Sequence, residues 1–184
     1  MNTAIKQYLG ADWERFQTVF TESLHSDVEL LDKINNYLFG RSGKQLRPML
    51  CLLAARACSG GCSNTAIDCA AAVEIIHTAT LLHDDVADNS AERRGSPTVQ
   101  SFVSPRASVL LGDFWLSRAI LTILKQSGKE IIASFASCLS DLAEGEILQL
   151  QKADSMDTTM DDYVAIISRK TASLFRTAVC TGAY

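Results

Sequence analysis

Residues 70–83 read Ala-Ala-Ala-Val-Glu-Ile-Ile-His-Thr-Ala-Thr-Leu-Leu-His, a run that is nearly all apolar and holds no Lys or Arg. A helix of that composition has no broad face suited to water, so other elements must surround it on most sides. It closes on Asp84-Asp85-Val86-Ala87-Asp88, and Glu92-Arg93-Arg94-Gly95 follows within one or two turns. The carboxylates therefore emerge at the mouth of a core. Spacings of three and four residues let them share hard divalent cations, and two adjacent guanidiniums supply forked donors for phosphate. Acidic clusters also solvate helix ends, and Arg pairs also decorate surfaces. The buried run ahead of them favours the chemistry of a magnesium-diphosphate site.

The whole chain reads as helix, which makes the fold class all-α and residues 1–184 a single helical domain. Helix-length apolar periodicity covers segments near 12–24, 27–39, 48–58, 65–88, 105–127, 129–152 and 160–182, separated by Gly, Ser and Asn breaks. The three prolines, Pro48, Pro97 and Pro105, fall where a helix would start or a loop would run. Ser26 or Asp27 can cap the second segment and Gly40 can end it; Ser59-Gly60-Gly61 ends the third, and Thr158 or Thr159 can cap the last. No run alternates with period two for long enough to make a sheet. The last segment is amphipathic and stops on Tyr184 without a polar tail, which reads as the front part of a longer protein.

A net charge of -4 with 47% hydrophobic and 21% charged residues is an ordinary globular balance. A mildly acidic chain is poorly suited to nucleic acid, whose backbone demands a basic face. The first forty residues contain no signal-peptide core. No stretch of about twenty residues is free of charge, which argues against a membrane span. Cys51, Cys58, Cys62, Cys69, Cys138 and Cys180 form no C-x-x-C pair and no zinc pattern, so they read as free thiols in a cytoplasmic protein.

Other groups can carry chemistry. Gly43-Lys44-Gln45-Leu46-Arg47-Pro48 places two cations three residues apart on a Gly-led loop entering a helix, where the backbone N–H groups and the dipole favour an anion. His77 lies seven residues before Asp84, on roughly the same helix face, with Glu74 one turn further back to orient it; His83 points about 100° away. His77 can serve a phosphate oxygen or be satisfied within a core. Arg169-Lys170-Thr171 can touch phosphate or be solvated. Glu144-Gly145-Glu146 and Gln149 put polar groups in an apolar helix, with the glycine allowing close helix approach, and they can support metal-bound water or face solvent.

Together these motifs resemble the trans-isoprenyl diphosphate synthases, specifically the long-chain polyprenyl members of the octaprenyl and heptaprenyl type. Leu81-Leu82-His83-Asp84-Asp85-Val86-Ala87-Asp88 is similar to the family's first aspartate-rich motif, Arg93-Arg94-Gly95-Ser96-Pro97-Thr98 to its arginine pair, and Gly43 to Pro48 to its G-K-x-x-R-P loop. Val73 to His77, Leu111-Gly112-Asp113, Glu144 to Leu150 and Lys170-Thr171 match in order and spacing. The resemblance implies an isoprenoid-synthase-type helical bundle, usually dimeric, that condenses an allylic diphosphate with isopentenyl diphosphate. It implies that Asp84 and Asp88, with Asp85 assisting, hold Mg2+ on the allylic diphosphate, which Arg93, Lys170 and Thr171 also contact. Lys44, Arg47, His77 and Arg94 would seat isopentenyl diphosphate. Ala79 and Thr80, five and four residues before Asp84, would lie where a growing chain descends. Neither is bulky, which implies a product longer than fifteen carbons.

Three departures stand out. Gln45 replaces a usual basic residue and Gln100 a usual His or Asn, and no second aspartate-rich motif follows in the sequence. Asp161-Asp162 lacks a third carboxylate and a matching apolar run. The expectation is thus the N-terminal portion of a polyprenyl synthase, inactive or nearly so alone, which works as a homodimer or with a C-terminal portion. The alternative is a noncatalytic diphosphate-binding or partner subunit. A helical phosphohydrolase built on His83-Asp84 would need more histidines than His25 and His77. A terpene cyclase would not need Lys44, Arg47 and Arg94.

Overall fold

The computed structural model describes residues 2–41 and 43–184. In chain order the helices are α1 (Asn2–Leu9), α2 (Ala11–Ser23), α3 (Glu29–Phe39), α4 (Leu46–Ser59), α5 (Asn64–Ala87), α6 (Val99–Phe102), α7 (Pro105–Leu124), α8 (Lys129–Ser155), α9 (Met160–Ile167) and α10 (Ser173–Ala183). A π turn, Ser168–Ala172, joins the last two. Between α5 and α6 lies a small hairpin of β1 (Glu92–Arg93) and β2 (Ser96–Pro97), antiparallel with Arg93 opposite Ser96.

The all-α expectation holds, and each anticipated segment is helical. Three elements escaped it: α1, the one-turn α6 and the π turn that splits segment 160–182. Two-residue strands are too short to show a period. Val28, not Ser26 or Asp27, is the N-cap of α3, although the Val28 N–H donates to the Ser26 hydroxyl at 3.2 Å. Gly60 closes α4 in the left-handed region at φ 76°, with its N–H on the Arg56 carbonyl. Thr159 and Asp162 form a reciprocal capping box at the start of α9.

Ser63 opens α5 by accepting from the Ala66 N–H, and the helix then runs down the middle of the bundle. It packs most broadly on α7, and also on α2, α4 and α10. Cys69, Ala70, Ala71, Ala72, Val73, Ile75 and Ile76 are all fully buried, and the small side chains among them let the neighbouring helices close in. Phe20 of α2 meets Phe39 of α3 and Trp115 of α7 with ring centroids 5.6 and 6.0 Å away. Gly182 of α10 lies so close to the Cys51 carbonyl of α4 that a side-chain carbon there would overlap it.

Both α5 and α7 are long and apolar enough to cross a membrane, contrary to the expectation from charge spacing. The few charges of each helix sit near its ends or are spread thinly enough to leave an apolar window. In α5 that window is 72% buried inside the bundle, which is the signature of a core helix; in α7 it is 39% buried. Leu110, Ile120, Leu121 and Leu124 of α7 are exposed.

Asn35 of α3 is a buried polar link in this packing. It accepts from the Trp115 indole N–H at 2.8 Å and donates to the Leu24 carbonyl at 2.6 Å. Asn35→Leu strands both groups inside the core and should lower unfolding free energy by about 3 kcal/mol, measured by urea titration against the parent chain.

Candidate functional site

A cleft of about 890 Å³ opens between α3, the connection at residues 43–45 with the start of α4, α5 and the hairpin. Its α5 wall is a stripe of Glu74, Thr78, Leu81 and Asp85 at spacings of four, three and four, with His77 and Leu82 beside it. Phe20 and Trp115 line its apolar side. Lys44, Arg47, Arg93 and Arg94 bring four cations to the other, with Arg41 and Lys6 further out.

The hairpin turn aims this charge. Arg94 and Gly95 both have positive φ, 52° and 75°, as a two-residue type I′ connection requires. The Arg94 guanidinium comes to rest over Gly43, where any side-chain carbon would collide with it. A side chain at 43 would push that guanidinium, the far end of an arginine fifty-one residues later in the chain, out of its seat. Gln45 takes the left-handed conformation, φ 52° and ψ 44°, as α4 begins; its Nε2 is buried and finds no hydrogen-bond partner among the described residues. Arg47 lies over the Phe175 ring at 4.3 Å, and its Nε is likewise buried without a partner among the described residues.

Lys44, Arg47, His77 and Arg94, expected around one anion, line one cavity. Burial, reinforced by Arg47, Arg94 and Arg93, pushes His77 down to about 3, so its imidazole is neutral at physiological pH. Burial pushes the Glu74 carboxyl up to about 7, against the pull of Arg47 and Arg94. Burial also lowers the Arg47 guanidinium from its ordinary value, with Glu74 opposing.

The aspartates divide. Asp85 is buried and accepts from Arg93 Nε at 2.7 Å, while its backbone carbonyl accepts from Gln100 Nε2 at 2.6 Å. Gln100 also donates to the Ser90 carbonyl and Thr98 bonds the same atom, so the segment after Asp88 is pinned. Asp84 sits about 100° round the helix from Asp85 and faces α8 and the π turn. Burial raises its carboxyl, Lys170 and Arg93 oppose this, and Glu146 and Asp88 add to it. Asp88 caps α5 and is exposed. Among the described residues no group of three or more His, Cys, Asp or Glu is close enough to hold a metal, so the expected trio is not brought together. Asp84 and Asp88 nevertheless offer hard oxygen donors, and a divalent cation would offset both the burial that chiefly raises Asp84 and the repulsion that adds to it.

Lys170 pairs with Glu146 Oε2 at 2.5 Å and Gln149 Oε1 at 3.2 Å. Gly145 lets the π turn approach, since a side chain there would strike Arg169 Cβ and the Lys170 N. A π turn widens the helix locally and is common at functional positions. Thr171 beside it is exposed. Thr80 is half-buried with its hydroxyl on the His77 carbonyl. Ala79 is wholly buried in the core, five residues of helix having turned it about 140° from Asp84, and neither it nor Thr80 lines this cleft. His83 packs on Gly112 of α7, with Nε2 3.2 Å from Asp113 Oδ1. Asp162 is engaged elsewhere: bonds from Thr159 and Lys152 hold it down to about 2.

Sequence reading missed the places of Tyr37, Arg41 and Gln100. Arg94-Gly95 was the available signal for the hairpin. Tyr37, whose hydroxyl donates to the Pro97 carbonyl at 2.8 Å, left none.

A folded value near 3 makes His77 a liability in acid. Its stability contribution is present above about 6.5 and is lost as pH falls toward 3, because only the unfolded chain takes the proton. Between pH 7.5 and 5, the parent should lose about 2 kcal/mol more than His77→Gln in urea unfolding.

A family model described as "Polyprenyl synthetase" matches residues 28–184. Octaprenyl diphosphate synthase of Escherichia coli (strain K12) is 38% identical over 179 residues, which cover 97% of this chain and 55% of the relative. Two solved structures superpose well. The decaprenyl diphosphate synthase from Rhodobacter capsulatus gives a TM-score of 0.93 at 37% identity, covering 99% of this chain and 56% of that one. The polyprenyl synthase from Caulobacter crescentus CB15, complexed with calcium and isoprenyl diphosphate, gives 0.92 at 34%, covering 100% and 56%. The chain spans about half the length of the relatives it matches. The bundle is thus of the isoprenoid-synthase type.

Proposed function

The chain belongs to the polyprenyl synthetase family, and from that premise we propose that it builds one wall of a prenyl-transfer site. The reaction joins an allylic diphosphate head to tail with isopentenyl diphosphate and yields a long-chain polyprenyl diphosphate. The single observation that carries this reading is the seating of Arg94 on Gly43, which puts the loop cations, the arginine pair and His77 around one cavity.

Lys44, Arg47 and Arg94 neutralise the diphosphate of isopentenyl diphosphate, and neutral His77 donates to it without adding charge. Phe20, Trp115 and Leu82 give its hydrocarbon a dry wall. On the neighbouring face Asp84 and Asp88 would hold magnesium. Asp85 orients Arg93, and Lys170, which acts on Asp84, would contact the allylic diphosphate together with Thr171. Bound magnesium supplies charge that stabilises the departing diphosphate. The relative crystallised with calcium and isoprenyl diphosphate supports this pairing of ligands. Ala79 and Thr80, neither of them bulky, leave room for a chain longer than fifteen carbons.

The 184 residues contain no second aspartate-rich motif, so opposing carboxylates must come from another segment or chain. Exposed Ile147, Leu150, Met160, Tyr163 and Val164 near the π turn form an apolar face that fits a C-terminal portion of the family bundle. The exposed face of α7 fits a second copy in a homodimer. Six unpaired thiols support a reducing, cytoplasmic setting.

The chain alone, given magnesium, farnesyl diphosphate and labelled isopentenyl diphosphate, should elongate little or nothing; adding the C-terminal portion should restore labelled long-chain product. Efficient elongation by the chain alone overturns the need for opposing carboxylates. No product in the complemented mixture favours a noncatalytic partner subunit. Asp84→Ala should cut the magnesium-dependent part of diphosphate binding at least tenfold by calorimetry, roughly the loss of one charged ligand.

A further inference from the structure

Glu74 is the one carboxylate, apart from the Arg93-bound Asp85, that lines the cationic cleft among the described residues, and it is only 5% exposed. Arg47 of α4 and Arg94 of the hairpin act on it across the cavity, and Arg93, bound to Asp85, lines the same cavity. Lys44 and Arg41 stand on the connection from α3, with Lys6 of α1 at the margin. The surroundings are otherwise neutral: Phe20 comes from α2, Trp115 from α7, and the Cys138 thiol of α8 lies behind Arg47. His77 shares its helix one turn on.

We propose that Glu74 is the proton-linked positioning residue of the cleft, sharing its charge across the cavity with Arg47 and Arg94 when the cleft is empty, and taking up a proton when a diphosphate is seated there. This rests on the reading of the cleft as a diphosphate seat. Burial and the guanidiniums leave the free carboxyl half-titrated at about 7. An incoming diphosphate draws on the same two guanidiniums and repels a carboxylate beside them, and both effects favour the protonated form. A proton from solvent then adds to the Glu74 carboxylate, which as an acid can donate to a phosphate oxygen instead of opposing it. His77, held down at about 3, stays neutral and is not the acceptor. Anion affinity accordingly falls as pH rises through about 7.

Calorimetry of inorganic pyrophosphate binding without magnesium tests this, at pH 6 and 8, each in two buffers of different ionisation heat. The parent chain is compared with Glu74→Gln, and since pyrophosphate titrates equally in both, their difference belongs to the carboxyl. At pH 8 the parent should take up close to one proton more than the variant and bind roughly tenfold more weakly; at pH 6 the two should agree within about twofold. Weaker binding by Glu74→Gln at both pH values, or an equal proton count, overturns the proposal and leaves the carboxylate as a plain anchor for arginine. Failure of both proteins to bind pyrophosphate overturns the diphosphate seat itself, and the proposal with it. Should the variant not fold, the side-chain carboxyl carbons of the parent's glutamates decide by NMR. One resonance must titrate near 7 and move up by more than one pH unit with pyrophosphate present; its absence refutes the proposal.

Discussion

Desolvation of α5 is the constraint on which the rest depends. A helix without a broad water-facing side gains stability from burying its alanines, valine and isoleucines, and in doing so draws Glu74, His77, Asp84 and Asp85 out of bulk water. Each group then responds in the direction that reduces its charge or finds a partner. Glu74 rises, His77 falls, Asp84 rises, and Asp85 takes the Arg93 guanidinium. The cations around them are the counterpart of this burial, and they exceed what the carboxylates neutralise. That surplus is what makes the cleft fit for an anion with more than one charge.

Much of this was legible in the sequence, for identifiable reasons. Helices α2 to α5, α7 and α8 announce themselves because their apolar period is long, and long periods survive local exceptions. The seat residues are legible because Lys44, Arg47, Arg93 and Arg94 are charged and flanked by glycines whose conformations matter. What stayed hidden depends on pairings across the chain. Nothing near Gly43 reveals that Arg94 will lie on it, and nothing near Gly112 reveals His83. The π turn was hidden for a similar reason: its extra residue is accommodated because Gly145 of α8 leaves space opposite.

Charge is placed in two compartments that share α5. One, toward α3, α4 and the hairpin, is cationic and partly apolar. The other, toward α8 and the π turn, holds Asp84, Asp88 and Glu146 with Lys170. The electrostatic logic is opposite in the two. An anion enters the first directly, whereas the second repels an anion until its carboxylates are screened by a cation. A free anion and a cation-bound one are therefore favoured on different sides of α5.

Adjacent aspartates are what permit this division. Asp84 and Asp85 differ by one residue and so by about 100° around the helix, enough to put them in different compartments. Asp85 fixes Arg93 and, through its carbonyl, Gln100, and thereby holds the hairpin that delivers Arg94 to the first compartment. Asp84, with Asp88 one turn on, is left to serve the second. Loss of Asp85 would therefore act on the anion seat through the hairpin, and loss of Asp84 on the carboxylate side alone. The D-D-x-x-D pattern here interleaves two placements on one helix end: Asp85 braces the hairpin of the cationic cleft, and Asp84 faces the carboxylate side.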